Sequence, residues 1–339
     1  MLMEVARFVF HMAADASLYG GPMVAPTSSQ GTLRHNLQAL PRPVWMLYSG
    51  AFVNRFGSFV VPFLVLYLVR QGYSPPQAGL AAGSYGVGSI AAALAGGSMA
   101  DRLGRRATIT TSMLGSAACM LVLSQAHDLA LLIMFAGLAG LTSELYRPAA
   151  GALLADLVPS GRRVTAFAAY RLAINLGFAA GPATAGFLAD RSFFLLFLGD
   201  ALTSVVFALV ALLALPPGAR GVSADTNGSG RLGVLFSDRP FLLFLLAYVA
   251  VAFVYFQGQS TLPLHVRASG LSNAVHGSLL SLNGLVIVLL ELPLTAITQH
   301  LPARPVIATG LFLVGAGFAL TALAHSIVAL AFTVVTVSY

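Results

Sequence analysis

The sequence predicts an all-α membrane protein with about nine full membrane-spanning helices and part of a tenth. Two observations predict this class. Only 9% of the 339 residues are charged while 58% are hydrophobic, and the mean hydropathy is +0.85. In a soluble domain roughly a quarter of the residues are charged. A chain this apolar cannot cover a water-facing surface, so we expect the lipid bilayer to be its solvent.

The predicted spans follow one another as apolar runs of about 20 residues or more, which is long enough to cross a bilayer. Turn signals separate most of them: in chain order QGYSPPQ, SQAHD, LVPSGRR, ADRS, ASGLSN and QHLPARP. Short connections predict that neighbouring helices pack antiparallel. The spans are 44–69, 77–100, 107–125, 129–155, 164–189, 193–215, 241–264, 274–297 and 303–324, and a tenth begins near residue 327.

The domain organisation follows from one long break after the sixth span. Residues 216–238 read PPGARGVSADTNGSGRLGVLFSD and are rich in Pro, Gly and Ser. We therefore predict a six-helix N-terminal bundle at 41–215, a cytoplasmic linker at 216–240 and a C-terminal bundle at 241–339. Residues 1–40 contain one short apolar patch but not the charged–apolar–cleavage order of a signal peptide. They are predicted to be a disordered cytoplasmic leader, with a misassigned start codon as the alternative.

Arginine placement predicts the orientation. All 18 basic residues are arginines. With the N-terminus in the cytoplasm, the inner segments hold Arg34, Arg42, Arg102, Arg105, Arg106, Arg162, Arg163, Arg220, Arg231, Arg239 and Arg304, and the outer loops hold Arg70, Arg191 and Arg267. Loops rich in arginine stay on the cytoplasmic side. The sequence therefore predicts a multi-pass protein of the cell membrane whose N-terminus is cytoplasmic.

Composition also argues against several other classes of protein. The arginines are scattered between apolar runs, whereas nucleic-acid binding needs them on one solvated face. The histidines show no ligand spacing, so no metal site is predicted. The one cysteine, Cys119, lies in an apolar run and is expected to be a packing residue. No Ser/His/Asp set or phosphate-binding loop is evident, so an enzyme is not expected.

The most densely charged stretch lies between spans 2 and 3 and reads GGSMADRLGRRAT over residues 96–108. Gly97, one turn before Asp101, would let a neighbouring helix approach closely. Asp101 can bind nearby arginines and helix N-termini, and Gly104 permits a tight turn. We expect a charged latch that holds two helix bundles together and releases them. Its residues are Gly97, Asp101, Arg102, Gly104, Arg105 and Arg106.

The pattern G-x-x-x-D-R-x-G-R-R resembles the loop 2–3 signature of the major facilitator superfamily. A second stretch, GFAAGPATAG at 177–186, resembles the fifth-helix motif of that superfamily's drug:proton antiporter branch. A weaker match, FGSFVVPF at 56–63, is similar to that branch's glycine-to-proline pattern in the first helix. The small residues and the kink expected of the fifth-helix motif are supplied by Gly177, Gly181, Pro182 and Gly186.

The resemblance covers about residues 40–339 and implies a major-facilitator-type helical bundle. That fold has twelve helices, and the chain ends inside the tenth. The resemblance therefore implies a complete six-helix N-terminal bundle, an incomplete C-terminal bundle and a C-terminally truncated chain.

Polar side chains inside the predicted spans are candidate sites, because an ionisable residue at membrane depth costs at least a few kcal/mol. In the first bundle they are Asn54, Arg55, Glu144, Arg147, Arg171 and Asn175; in the second they are Tyr255, Gln257, Asn283 and Glu291. Asp200 is a similar case nearer the outer side.

Glu144 and Arg147 share a helix face at i,i+3 and can pair, with Arg171 or Arg55 competing for the same carboxylate. Two interpretations stay open: a buried ion pair that locks helices together, or a carboxylate at Glu144 that carries a proton. Glu291 has no arginine in its own helix. It is predicted to lie in a water-filled cavity or to reach toward the inner face.

Together these features predict a secondary active transporter that exports small amphipathic compounds, with the proton gradient as its energy source and no cofactor. In such a fold the site lies near the bilayer midplane between two bundles, which rock around it. An importer of sugars or organic acids, and a non-transporting membrane fragment, are the alternatives. The expected partners are the lipid bilayer and a small-molecule substrate, and a monomer is predicted.

Overall fold

The computed structural model describes residues 37–218, 239–298 and 301–337, and within these ranges every regular element is helical. Most of the predicted leader, residues 1–36, and most of the predicted linker, residues 219–238, lie outside the described residues. In chain order the helices are α1 (Arg42–Phe56), α2 (Leu64–Arg70), α3 (Pro75–Leu103), α4 (Arg105–Gln125), α5 (Leu129–Glu144), α6 (Tyr146–Leu157), α7 (Arg163–Arg191), α8 (Phe193–Ala214), α9 (Arg239–Tyr255), α10 (Gln257–Ser260), α11 (Leu262–Ala268), α12 (Asn273–Thr298), α13 (Ala303–Thr321) and α14 (Ile327–Val337). Short 3₁₀ turns occupy Val61–Phe63 and Ser160–Arg162.

Seven helical segments of the described chain are long and apolar enough to cross a membrane: Arg42–Arg70, Pro75–Leu103, Arg105–Gln125, Leu129–Leu157, Ser160–Arg191, Phe193–Ala214 and Asn273–Glu291. The first predicted span is interrupted between α1 and α2. The predicted span at 241–264 is divided into α9, α10 and α11, and Pro263 follows the second of these breaks. Proline lacks an N–H group and its ring disfavours a helical residue before it, so helices break at such positions. The last two predicted spans are the shorter helices α13 and α14.

The loops lie at two opposite ends of the molecule. The near end holds the turn at Gly104 and the start of the segment after α8, because the Arg106 amide donates to the Pro217 carbonyl at 3.4 Å. The far end holds the turns at residues 71–74 and 126–128, where the Tyr73 hydroxyl donates to the His127 carbonyl. Consecutive long helices therefore run in opposite directions, as the short connections predict.

Local chemistry fixes where the helices begin at the far end. Ser74 and Gln77 form a capping box before α3, with Pro75 at the first helical position. Asp128 precedes α5 and accepts the amides of Ala130 and Leu131 at 3.0 and 3.1 Å.

Helices α1–α8 form a first bundle with an apolar cluster toward each end. The far cluster includes Phe63, Leu68, Met120, Leu123 and Phe197. The near cluster includes Leu47, Ile109, Met113, Leu153 and Phe207. Between the two clusters lies a layer of polar side chains, so the polar groups of this bundle are enclosed by apolar packing on both sides.

Helices α9–α14 form a second bundle, which meets the first mainly where α12 packs against α7. A smaller apolar cluster, including Leu262, Val266, Leu279 and Leu330, fills the second bundle. The line of contact between α7 and α12, which we call the seam, is the part of the fold that can change if the two bundles move.

Many large apolar side chains point outward along the spans. Leu94 and Leu213 are each 80% exposed, and Phe312 is 72% exposed. Water would make such surfaces costly, whereas bilayer hydrocarbon is as apolar as they are. The exposed faces therefore fit the membrane environment that the composition predicts.

Candidate functional site

The polar layer of the first bundle encloses a small cavity of about 10 Å³, room for roughly one water molecule. Side chains from five of the six spans of the bundle line it. They are Asn54, Arg55, Ser58, Val61, Tyr85, Ser116, Met120, Ser143, Glu144, Tyr146, Arg147 and Asp200. The sequence signalled Asn54, Arg55, Glu144, Arg147 and Asp200. It missed the hydroxyl residues Ser58, Tyr85, Ser116, Ser143 and Tyr146, because such residues are common in membrane helices.

The ion pair predicted between Glu144 and Arg147 is present in the structure. It spans the break between α5 and α6, where Pro148 cannot donate an amide hydrogen to the Glu144 carbonyl. Beside it the Tyr85 hydroxyl hydrogen-bonds the Ser143 hydroxyl at 2.7 Å. The pair is thus held where the fourth span bends.

Arg55 does not compete for the Glu144 carboxylate. Its guanidinium lies over the Phe178 ring, 5.4 Å from the ring centre, and forms no ion pair with any described residue. Its Nε atom is buried without a hydrogen-bond partner in the described part of the chain. Asn54, one residue earlier, donates to the Met113 sulfur at 3.3 Å. A cation over an aromatic face is stabilised without a carboxylate.

The structure corrects the prediction for Arg171, which pairs with Glu291 across the seam rather than with Glu144. Asn175, one turn further along α7, donates to the same Glu291 carboxylate at 3.2 Å. The Arg171 side chain is 69% exposed and that of Glu291 is 32% exposed. Glu291 is partly exposed, as the sequence predicts, but it also has a basic partner, Arg171, which lies in the other bundle.

The glycines of the predicted fifth-helix motif lie at close helix contacts. A Cβ at Gly177 would lie 2.8 Å from the Phe52 carbonyl oxygen, and one at Gly181 would overlap the Phe56 carbonyl. Further along α7, a Cβ at Gly186 would overlap the backbone of α12 at Asn273. Small residues let helix backbones approach in this way. The motif therefore packs α7 against α1 on one side and against α12 on the other.

The far half of the seam is closed by backbone contacts. A Cβ at Gly277 would overlap the carbonyl of Pro182, which lies inside α7. The amide of Ala183 donates to the Ser281 hydroxyl at 2.8 Å. A proline inside a helix disturbs the neighbouring backbone hydrogen bonds. Here the Ala183 amide of α7 donates to a side chain of the other bundle. Sequence reasoning missed Ser281, because one serine in a long apolar helix gives no signal of its own.

Asp190 and His276 also bind across the bundles at the far end. The two oxygens of the Asp190 carboxylate accept the amides of Asn273 and Ala274, each at 3.0 Å, at the start of α12. His276 is fully buried, and its Nε2 lies 3.3 Å from the Pro62 carbonyl. An anion at a helix N-terminus is favourable. Neither residue was predicted, because the partners lie far apart in sequence.

The structure confirms the turn at Gly104 and corrects the role of Gly97. Gly104 has φ of +93°, a conformation that favours glycine. Gly97 faces open space, whereas a Cβ at Gly96 would lie 2.9 Å from the Pro148 ring. The close approach predicted for Gly97 is therefore made by its neighbour, which faces the fourth span.

The charges of the predicted latch meet inside the first bundle, not across the two bundles. Arg105 pairs with Asp101, and its Nε lies 3.5 Å from Asp156 at the end of α6. Arg106 donates to the Leu215 carbonyl at 3.4 Å. Arg102 is exposed and forms no ion pair with the described residues. The group ties α3, α4, α6 and the segment after α8 together at the near end, and Asp156 is the member that the sequence did not signal.

The remaining predicted residues of the second bundle do not form a cluster with these groups. Tyr255 is exposed and stacks edge-on against Phe256. Gln257 accepts from the Thr261 hydroxyl at 2.7 Å, within the broken seventh span. Asn283 is buried on α12. Among the described residues no group of three or more His, Cys, Asp or Glu side chains could hold a metal ion.

Comparison with known proteins identifies a matching family and several relatives. The family model described as Major Facilitator Superfamily matches residues 47–339. The transporter YqjV of Bacillus subtilis is 25% identical over 302 residues, covering 86% of this chain and 73% of that protein. A Na(+), Li(+), K(+)/H(+) antiporter of Planococcus maritimus is 26% identical, covering 79% and 71%. The quinolone resistance protein NorA of Staphylococcus aureus is 26% identical, covering 44% and 39%.

Solved structures share the fold at low sequence identity. The peptide transporter POT in complex with sulfate has a TM-score of 0.67 at 17% identity, covering 91% of this chain and 83% of that one. A D-xylose-proton symporter has a TM-score of 0.60 at 16% identity, covering 87% and 78%. At this identity the likeness describes the helical architecture alone.

Proposed function

The chain belongs to the Major Facilitator Superfamily, and on that premise we propose that it is a secondary active transporter that exports small amphipathic compounds in exchange for protons. The observation that carries the proposal is the pair Arg171–Glu291, an exposed charge contact between the two bundles at membrane depth. Ionisable residues are rare there and mark transport pathways. A transporter with alternating access needs contacts between its bundles that form in one state and break in another.

The seam has the asymmetry that such a movement requires. Its far half holds backbone-to-backbone contacts at Gly186 and Gly277 and the carboxylate cap of Asp190. Its near half holds the exposed Arg171–Glu291 pair. In the orientation predicted by the arginines, the near end faces the cytoplasm. A substrate would enter the near half from that side and leave after the far contacts open.

Two relatives support exchange with protons and amphipathic substrates. One is named as a cation/H⁺ antiporter, and another as a quinolone resistance protein. The polar layer supports it as well, because carboxylates inside a membrane bundle are groups on which a proton can reside. The alternative, import of a sugar or organic acid, has no residue-level observation in its favour here.

The test reconstitutes the purified chain into liposomes that contain a pH-sensitive dye, with ethidium as the amphipathic cationic probe and xylose as the sugar probe. With an exporter of the proposed kind, adding ethidium moves protons across the membrane in the direction opposite to ethidium. Adding xylose moves none. Proton movement with xylose, in the same direction as the sugar, would favour the importer. No proton movement with either probe would argue against the proposal.

The same assay decides whether Glu144 carries the transported proton or has a structural role. If it carries the transported proton, Glu144→Gln folds and still exchanges ethidium, but accumulation no longer follows the pH gradient. If the Glu144–Arg147 pair is structural, Glu144→Gln is destabilised because Arg147 is left unpaired, and removing Arg147 as well restores folding. Gradient-dependent efflux by a well-folded Glu144→Gln protein would remove Glu144 from the mechanism.

A further inference from the structure

Asp200 is a carboxylate of the polar layer that forms no ion pair with any described residue. It lies on α8, is 5% exposed, and lines the same cavity as Arg55, Glu144 and Arg147. Glu144 is already neutralised by Arg147, and Glu291 by Arg171. A buried carboxylate without a paired cation is costly, and binding a proton removes its charge.

The Asp200 carboxylate is joined to the interruption of the first span. Its Oδ2 accepts the amide of Val60 at 3.3 Å, and Val60 belongs to the short segment between α1 and the 3₁₀ turn. That segment packs directly on α8. A Cβ at Gly57 would overlap the Thr203 side chain, and one at Gly199 would lie 2.8 Å from the Phe59 ring. A change in the charge of Asp200 therefore acts directly on the first span, because no other residue lies between the Asp200 carboxylate and the Val60 amide.

The other titratable and charged groups that line the cavity come from three of the spans. The first span supplies Arg55, α3 supplies Tyr85, and the fourth span supplies Glu144, Tyr146 and Arg147. Two other helices, α4 and α7, also pack against α8. Within the described chain, α4 contributes Ser116 and Met120 to the cavity, and α7 contributes none of its lining.

Ionised Asp200 balances the charges of the layer, since two arginines then face two carboxylates. A protonated Asp200 leaves one arginine charge in excess, and its hydrogen bond from Val60 loses the charge assistance that roughly doubles such a bond. Protonation thus weakens the tie between α8 and the first span while it alters the surroundings of Arg55. Both consequences act on the span that α7 contacts at Gly177 and Gly181.

We propose that Asp200 is the proton-binding group of this protein, and that its protonation loosens the interruption of the first span on which it packs. The inference rests on the proposed exchange with protons and names the residue that performs the coupling. It assigns Glu144 to holding the bend of the fourth span and Glu291 to the contact between the two bundles, and it assigns neither of them to binding the proton.

The test measures proton binding and the first span directly, without a transported substrate. Infrared difference spectra of the purified chain in lipid, recorded between neutral and acidic pH, report the carbonyl stretch of carboxyl groups that become protonated. We expect one band to be lost in Asp200→Asn and kept in Glu144→Gln and Glu291→Gln. The protection factors of the amides of residues 57–61, which compare their hydrogen exchange with that of an unstructured peptide at the same pH, should fall on acidification in the wild type. They should be low at both pH values in Asp200→Asn.

Asp190→Asn is the matched control, because Asp190 also accepts backbone amides but lies at the far end. It should alter its own band without changing the exchange of residues 57–61. If Asp200→Asn cannot be purified folded, Asp200→Glu is compared, and a shift in the frequency of the titrating band supports the proposal. An Asp200 variant whose spectrum equals that of the wild type overturns it, as do wild-type protection factors of residues 57–61 that are the same at both pH values. Loss of ethidium transport in the liposome assay would count against the exporter and leave these two readouts unaffected.

Discussion

Arg171 on α7 and Glu291 on α12 form an ion pair that joins the two bundles across 120 positions of sequence. Both side chains are substantially exposed, so the pair is suited to breaking and reforming rather than to fixing the fold. This property separates it from the Glu144–Arg147 pair, which lies within one span and is less exposed at its carboxylate.

The first prediction concerns the partner of Arg171. In a double-mutant cycle with alanine, Arg171 and Glu291 should show a coupling energy of about 0.2–1 kcal/mol in detergent, because exposed pairs contribute little. The cycle of Arg171 with Glu144 should show none. The measurement is thermal unfolding of the purified variants. Coupling to Glu144 that equals or exceeds coupling to Glu291 would contradict the seam contact.

The second prediction concerns the charged turn at the near end. Arg105→Ala should destabilise the protein by about 1–3 kcal/mol, because the side chain of Arg105 is largely buried and its removal takes away packing as well as the contacts with Asp101 and Asp156. Arg102→Ala is the matched control and should change stability by no more than about 0.5 kcal/mol, since Arg102 is exposed. Equal losses of thermal stability in the two variants would show that the turn responds only to its total charge.

The third prediction compares a glycine of the fifth-helix motif with a glycine of the loop 2–3 motif. Gly181→Ala should destabilise the protein by about 1–3 kcal/mol, because the new Cβ overlaps the Phe56 carbonyl. Gly97→Ala should be neutral or stabilising by up to about 1 kcal/mol, because that Cβ enters open space on a helix. Melting temperatures of the two variants decide the matter, and a stable Gly181→Ala protein would refute the close approach of α7 to α1.

The fourth prediction concerns the cap that Asp190 provides to α12. Asp190→Ala should cost about 0.5–2 kcal/mol and loosen the far half of the seam. The readout is alkylation of a cysteine placed at Ser281 in a Cys119→Ser background, which should become faster. Asp128→Ala removes a comparable cap within the first bundle and should leave the alkylation rate unchanged. An unchanged rate in Asp190→Ala would mean that the cap does not hold the bundles together.

The fifth prediction tests the orientation. Cysteines placed singly at Ser223 and Ser269, again without Cys119, should react differently with a membrane-impermeant maleimide in intact cells. Ser269→Cys should be labelled from outside because it lies at the far end, after α11. Ser223→Cys, in the predicted linker, should react only after the inner face is exposed. The reverse pattern would invert the direction proposed for transport.

Composition and local spacing were sufficient for several of these features. The low charge content and the apolar runs predicted the helical membrane fold, because a bilayer accepts few other structures. The Glu144–Arg147 pair was predictable from i,i+3 spacing, since helix geometry alone brings such residues together. The turn at Gly104 was also predictable, because its conformation depends on the backbone freedom of a single residue.

Only the tertiary structure decided the contacts that cross between helices. The sequence could not choose between Gly96 and Gly97, because adjacent residues on a helix differ by about 100° in direction and the neighbour's position selects one of them. It could not pair Arg171 with Glu291, or bring Asp190 to α12, since no local rule relates residues in different bundles. Asp200 shows the same division: its polarity inside an apolar span marked it in the sequence, but its place against the interrupted first span results from the packing of α8 on α1.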